Sequence, residues 1–235
     1  MSAPSTAPVT RQVALLGHPV SHSRSPQMHN AAFAALGLDW HYSAFDTLDP
    51  AQAIHALVAL GFSGANVTIP HKEAAAALCD EADGDAVNTL IFTSGTIRGV
   101  NTDREILAGI TAKRACLIGA GGAAKALRGA LPHDTRTFSR SGTWPPEGGD
   151  ADLIVNATPI TDQLLVIPHA GQTVVDLAYR ADGTDTALVA AARAAGADVI
   201  DGLEALVRQG ARSFELWTGR QAPVKIMRDA VRQAP

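Results

Sequence analysis

The chain reads as short apolar runs separated by amphipathic stretches. Val13 to Leu16 is a continuous apolar run closed by Gly17, the pattern of a buried strand. Ser25-Pro26 then predicts a helix through about Leu36, with proline in its first turn. Tyr42 to Phe45 predicts a second strand, Pro50 to Leu60 a helix stopped by Gly61, Asn66 to Ile69 a third strand, and His71 to Cys79 a helix. Thr89 to Phe92 and Ile97 to Val100 flank Ser94-Gly95 as a hairpin. Strand and helix alternate here, which is the order of an α/β fold.

The alternation resumes after Asp103. Ala115 to Ile118 is a fully apolar strand, followed at once by Gly119-Ala120-Gly121-Gly122-Ala123-Ala124 and a helix to about Ala130. Further strands are predicted at Thr135–Phe138, Leu153–Asn156, Val174–Leu177 and Val199-Ile200. Ala187–Ala195, Leu203–Trp217 and Val224–Gln233 read as helices. Only Ser141 to Asp150 has loop composition, and there are no repeats.

Composition narrows the class. At roughly 100–200 residues per domain, 235 residues make one large domain or two small ones. Hydrophobic content of 46% is enough for a proper core. With 19 basic and 23 acidic residues, the net charge of −4 gives no reason to expect nucleic acid or an anionic membrane as partner. Cys79 and Cys116 sit in apolar sequence without metal-ligand spacing, as buried reduced thiols of a cytoplasmic protein do. No apolar run approaches the roughly 20 residues of a membrane helix. Met1 to Thr10 lacks the order of a signal peptide and reads as a loose tail.

Two places carry chemistry. In Gly64-Ala65-Asn66-Val67-Thr68-Ile69-Pro70-His71-Lys72 an apolar strand ends in polar groups, with Asn66 and Thr68 on one strand face. Val100-Asn101-Thr102-Asp103 follows downstream, and a lysine and an aspartate brought together from two strand ends form a proton-transfer pair. A lone lysine there is more often a solvated strand cap. The second place is Gly119-x-Gly121-x-x-Ala124, which fits the dinucleotide fingerprint and has the required strand before and helix after. Gly119 serves the tight turn and Gly121 the close approach of a pyrophosphate. Arg140 stands 21 positions beyond Gly119, where an acidic residue would bind the ribose of NAD. Arginine at that place favours NADP, because its guanidinium clamps a 2′-phosphate.

Taken together, these segments resemble the shikimate dehydrogenase family. The resemblance rests on Gly17-His18-Pro19-Val20-Ser21-His22-Ser23-Arg24-Ser25-Pro26 with Met28-His29-Asn30, the Asn66–Lys72 segment, Ala86-Val87-Asn88-Thr89 and Asn101-Thr102-Asp103. It continues through the glycine loop, Asn156-Ala157-Thr158-Pro159, Asp176-Leu177-Ala178-Tyr179, and Gln209-Gly210-Ala211 with Phe214 and Trp217-Thr218-Gly219. These blocks stand in the family's order along nearly the whole chain.

The resemblance implies two α/β domains around a cleft, the second Rossmann-like and NADP-binding with a shortened crossover. Residues 1–102 and 208–235 would form the substrate domain and 103–207 the NADP domain. The implied reaction is reversible reduction of 3-dehydroshikimate to shikimate, in aromatic amino acid and chorismate biosynthesis. Lys72 and Asp103 match the catalytic pair. Ser23 and Ser25, with Tyr179, match the groups that hold the substrate carboxylate; a helix-capping serine is the plainer reading of Ser25. Asn66, Thr68, Asn88 and Gln209 match groups that bind ring hydroxyls. Gly119, Ala120, Gly121, Gly122, Ala123, Arg140, Thr158, Leu177 and Gly202 match the cofactor side. His18, His22, His29 and His71 have no accompanying ligand set, so we expect local hydrogen bonds rather than a metal. The expected partners are the small-molecule substrate and NADP, with the chain a monomer or homodimer.

Departures from the family pattern concentrate on the cofactor side. The link from Arg140 to Asp152 has no helical run, although parallel strands need a connection of about a dozen residues. Arg104, Thr161, Glu204-Ala205 and Arg180 replace residues the family favours, and no second basic residue follows Arg140. The expectation is intact substrate recognition with weaker or rearranged cofactor binding. A paralogous quinate or aminoshikimate dehydrogenase and a non-catalytic ligand-binding relative are the alternatives; retention of Lys72 with Asp103 disfavours the last.

Overall fold

The computed structural model describes residues 10–233. The expected tail, Met1 to Thr10, lies outside them except for Thr10. The first half runs β1 (Arg11–Gly17), α1 (Ser25–Ala35), β2 (Trp40–Asp46), α2 (Pro50–Ala59), β3 (Gly64–Val67), α3 (Lys72–Ala77), β4 (Glu81–Ala82), β5 (Thr89–Thr93) and β6 (Thr96–Val100). These strands form one sheet in the order β2-β1-β3-β5-β6-β4. After a 3₁₀ helix over Thr102–Leu107 come β7 (Arg114–Ile118), α4 (Gly122–Arg128), β8 (Asp134–Phe138), β9 (Leu153–Asn156), β10 (Thr173–Asp176), α5 (Ala187–Ala194) and β11 (Asp198–Ile200). They build a second, all-parallel sheet in the order β11-β10-β9-β7-β8. α6 (Gly202–Thr218) and α7 (Val224–Arg232) close the described chain.

Both sheets reverse their winding direction at one point, and this places the site. In the first sheet β1 lies between β2 and β3; in the second β7 lies between β8 and β9. Loops that leave neighbouring strands in opposite directions open a crevice at the carboxyl ends of those strands. The segments after β1 and β3 and those after β7 and β9 are therefore the four places where a ligand can lodge.

Packing joins the halves through α6. Leu203 and Val207 enter the core that α1, α6 and α7 build on the first sheet, while Ala205 enters the core beneath α4 and the 3₁₀ helix on the second. The expected boundary at residues 207 and 208 thus falls within one continuous helix. Asp201 caps it, accepting from Glu204 N at 2.8 Å, and Gly219 ends it in a left-handed conformation.

Several local expectations are corrected. The third strand covers Gly64–Val67, not Asn66 to Ile69: Pro70 has no N–H to extend the ladder, and His71 N closes a turn onto Thr68 O at 2.9 Å. Ser25 is the first helical residue and caps nothing; its own N–H donates to Ser23 Oγ at 3.2 Å. The two-residue β4 and the 3₁₀ helix carry too little periodicity to be seen in sequence.

No helix spans the link between β8 and β9. Its place on the sheet is filled by loop residues: Ala151 and Val166 join Cys116, Ile118, Phe138 and Ile154 in a buried cluster. The Gln172 amide holds this loop by donating to Gly148 O at 2.9 Å and Ala151 O at 2.8 Å.

Candidate active site

A cleft of about 530 Å³ opens between the sheets. Ser23 reaches it from the segment after β1 and Ser25 from the start of α1, Asn66 from β3, Thr68 from the turn after it, Lys72 from the start of α3, and Asn88 from the residue before β5. Asp103 comes from the 3₁₀ helix, Tyr179 from the loop after β10, and Gln209 from α6. All nine residues expected on the substrate side line this one cavity. Ala123, Thr158, Leu177 and Gly202 line it from the second sheet. Gly119, Ala120, Gly121, Gly122 and Arg140 are not among its lining residues.

Lys72 and Asp103 meet on the floor. Lys72 Nζ donates to Asp103 Oδ2, and the side chains keep only 10% and 7% of their exposure. Asn88 Nδ2 donates to Asp103 Oδ1 at 2.8 Å and to Gln209 Oε1 at 3.2 Å. Asn88 Oδ1 accepts from Thr102 N at 2.8 Å. Asp103 N donates to Asn101 Oδ1 at 3.1 Å, and the Asn101 amide reaches across to Ala126 O of α4 at 2.7 Å. Every oxygen of the buried carboxylate is thus occupied, as a buried charge requires.

Beneath the pair lies a second polar layer. Tyr42 Oη donates to Asn66 Oδ1 at 2.9 Å. Asn66 Nδ2 lies within donating distance of Asn88 O at 3.0 Å, Thr89 Oγ1 at 3.1 Å and Ser213 Oγ at 3.0 Å. Sequence reasoning missed Tyr42, Thr89 and Ser213. Ser213 could have been found, because it stands four residues after Gln209 and shares its helix face; Tyr42 sits mid-strand and gives no such signal.

The four histidines behave differently from one another. His18 Nδ1 meets Asp46 Oδ1 at 2.5 Å, and His18 together with the Val20 amide holds the Asp46 carboxyl below the usual range. His71 Nε2 bonds Thr47 O at 2.8 Å. His29 corrects the expectation of local hydrogen bonding: both ring nitrogens are buried without a partner. The ring stacks on Tyr42 at 4.5 Å, and burial lowers its pKa to about 3. His22 lines the cleft, exposed. Among the described residues no cluster of metal-ligating side chains exists.

The glycine loop lies beside the cleft and reaches it at Ala123. Gly119 adopts φ +122°, and a Cβ there would stand 3.0 Å from Ala157 O, so only glycine fits the turn after β7. A Cβ on Gly121 would meet nothing within 4 Å, which leaves its backbone open to a ligand. A Cβ on Gly122 would stand 3.6 Å from Lys72 Cβ, so the loop abuts the lysine. Glu73 of α3 pairs with Lys125 of α4 at 2.8 Å beside this contact. The loop fits a dinucleotide pyrophosphate. Arg140 follows β8, exposed, with its guanidinium 6.0 Å over the Trp144 ring.

Comparisons with known proteins agree with this geometry. The family model described as the shikimate dehydrogenase substrate binding domain matches residues 15–90, and the shikimate 5′-dehydrogenase C-terminal domain matches residues 202–232. Shikimate dehydrogenase (NADP(+)) of Methanopyrus kandleri is 39% identical, covering 94% of this chain and 95% of the relative. That of Moorella thermoacetica is 40% identical, covering 96% and 94%. The crystal structure of shikimate 5-dehydrogenase from Thermus thermophilus in complex with NADP(H) and shikimate superposes with a TM-score of 0.81 at 34% identity, covering 96% of this chain and all of that one. The sequence similarity and the structural superposition agree, and the chain belongs to the shikimate dehydrogenase family.

Proposed function

We propose that this protein is an NADP-dependent shikimate dehydrogenase that reduces 3-dehydroshikimate to shikimate reversibly. The observation that carries this reading is the buried Lys72–Asp103 pair on the floor of a cleft walled by both sheets. We divide the chain into a substrate domain, residues 1–102 with 208–235, and a cofactor domain, residues 103–207, with α6 running from one into the other.

The roles follow from chemistry. Ser23, Ser25 and Tyr179 bind the substrate carboxylate. Asn66, Thr68, Asn88 and Gln209 bind ring hydroxyls. Reduction of a ketone leaves negative charge on its oxygen, which needs a proton and a nearby cation. Lys72 supplies both, and Asp103, anchored by Asn88, holds the ammonium in place and orients the hydroxyl. In the reverse direction the same lysine removes the hydroxyl proton. Gly119, Ala120, Gly121, Gly122 and Ala123 cradle the pyrophosphate of NADP, Arg140 takes the 2′-phosphate, and Thr158, Leu177 and Gly202 border the nicotinamide. The bound cofactor supplies or accepts the hydride.

Cofactor binding is expected to be weaker than substrate binding. Arg140 is engaged with Trp144, and the link behind it is a loop rather than a helix. We therefore expect a higher KM for NADP than for shikimate. The two free thiols are pushed up to about 11 by burial, and such unreactive thiols suit a reducing cytoplasm. No helix among the described residues is long and apolar enough to cross a membrane.

Nicotinamide absorbance with shikimate and NADP, run beside quinate and NAD, tests the proposal. Turnover with shikimate and NADP supports it. Preference for quinate or NAD would move the protein to a paralogous branch, and inactivity with every pair would leave a binding protein.

A further inference from the structure

Asp176, at the carboxyl end of β10, is fully buried and does not line the cleft. Its partners are all neutral. Oδ1 accepts from Asn156 Nδ2 at 2.9 Å and from Ala178 N at 3.0 Å, and Oδ2 accepts from Thr186 Oγ1 at 2.5 Å. Burial pushes this carboxyl up to about 6 against the pull of those three hydrogen bonds, and Asp201 nearby adds to the rise. An ion in this position is a cost to folding that an apolar residue would not carry.

Two of its three partners lead to segments that line the cleft. Asn156 passes the interaction on: its Oδ1 accepts from Thr158 N at 3.0 Å and Thr158 Oγ1 at 2.7 Å. The Ala178 amide lies between Leu177 and Tyr179, both of which line the cleft. That segment is pinned from its other side by Gly202, where a Cβ would stand 2.3 Å from Ala178 O. Thr186 caps α5, accepting from Val189 N at 3.2 Å. One carboxylate therefore sets the loop after β9 and the loop after β10 against each other.

We propose that Asp176 is a positioning residue for the cofactor wall, fixing Thr158 through Asn156 and Leu177–Tyr179 through the Ala178 amide. The proposal rests on the assignment of that wall to NADP. Its two parts are acceptor geometry at Oδ1 and the relay through Asn156; the negative charge itself is not required. Asparagine can keep both, presenting its carbonyl oxygen to Asn156 and Ala178 and its amide to Thr186 Oγ1.

Steady-state kinetics of Asp176→Ala and Asp176→Asn, with NADP and shikimate each varied, test this. Asp176→Ala is expected to raise KM for NADP about tenfold while kcat at saturation falls less, because the wall is displaced rather than the chemistry removed. Asp176→Asn is expected to return KM to within about twofold of wild type. An unchanged KM in the alanine variant would overturn the proposal, and so would an asparagine variant as poor as alanine. A general loss of folding is distinguished by far-UV circular dichroism and a cooperative urea transition, both of which should be retained in the two variants. If the alanine variant does not fold, Asp176→Ser takes its place with the same expected direction, since serine keeps one acceptor only. NADP binding by calorimetry separates this test from the underlying reading. Wild-type protein that binds NADP without oxidising shikimate fails the dehydrogenase reading, and the variants then decide Asp176 by their affinity for NADP alone.

Discussion

Asn88 Nδ2 donates to Asp103 Oδ1 at 2.8 Å, which leaves Oδ2 to Lys72 Nζ. The carboxylate is therefore held from two sides, and the lysine meets it in one orientation. Asn88 is itself fixed through Thr102 N and Gln209, so the pair is organised before substrate arrives.

Replacing Lys72 removes the proton donor and leaves the hydroxyl-binding groups in place. Lys72→Ala is expected to lower kcat about a thousandfold, with shikimate affinity changed by less than about threefold. Stopped-flow kinetics and calorimetric titration check the two halves. A variant with near-normal kcat would disprove the assigned mechanism.

Tyr42→Phe deletes the donor to Asn66 Oδ1 in a fully buried layer. A buried acceptor left unpaired costs about 1–3 kcal/mol. We expect that loss in urea unfolding, together with a raised KM for shikimate and an unchanged KM for NADP, because the Asn66 amide is then free to turn. Equal changes in both KM values would assign Tyr42 to general packing.

His29 contributes an acid-sensitive part of the stability. Its ring is buried between Tyr42 and Trp217, and its pKa is lowered to about 3 from 6.5. The unfolded chain therefore binds a proton between those values that the folded chain does not. The contribution of His29 to stability is full above pH 6.5 and is lost as pH falls toward 3. His29→Phe should reduce the stability lost between about pH 7 and pH 4 by about 3 kcal/mol. Denaturant unfolding at the two pH values measures this, and parallel losses in wild type and variant would count against it.

Arg140→Ala is expected to raise KM for NADP several-fold, about 1–2 kcal/mol of binding, with little effect on NAD. Initial rates with each cofactor decide it. An equal effect on both would mean that Arg140 does not read the 2′-phosphate.

Much of the fold is legible in sequence because its strands are short and apolar and its helices amphipathic, with boundaries marked by proline and glycine. β7 and the Gly119 turn are the clearest case: the strand is continuously apolar from Ala115 to Ile118, and its glycine is demanded by local backbone. Sequence misplaces β3 because Ile69 extends the apolar pattern past the point where Pro70 ends the hydrogen-bond ladder. It misreads His29 because it shows a polar residue and not what surrounds it.

The chain's own sequence determined the alternation of elements, the chemistry available at Lys72, Asp103 and the glycine loop, and the family. These are local properties: periodicity, residue type and spacing. Tertiary structure alone decided that Lys72 and Asp103 touch, that Tyr42 and Ser213 support Asn66, and that Asp176 ties two loops of the second sheet. Such contacts join residues far apart in the chain, and their partners are chosen by where two sheets reverse direction and by which buried polar groups must be satisfied.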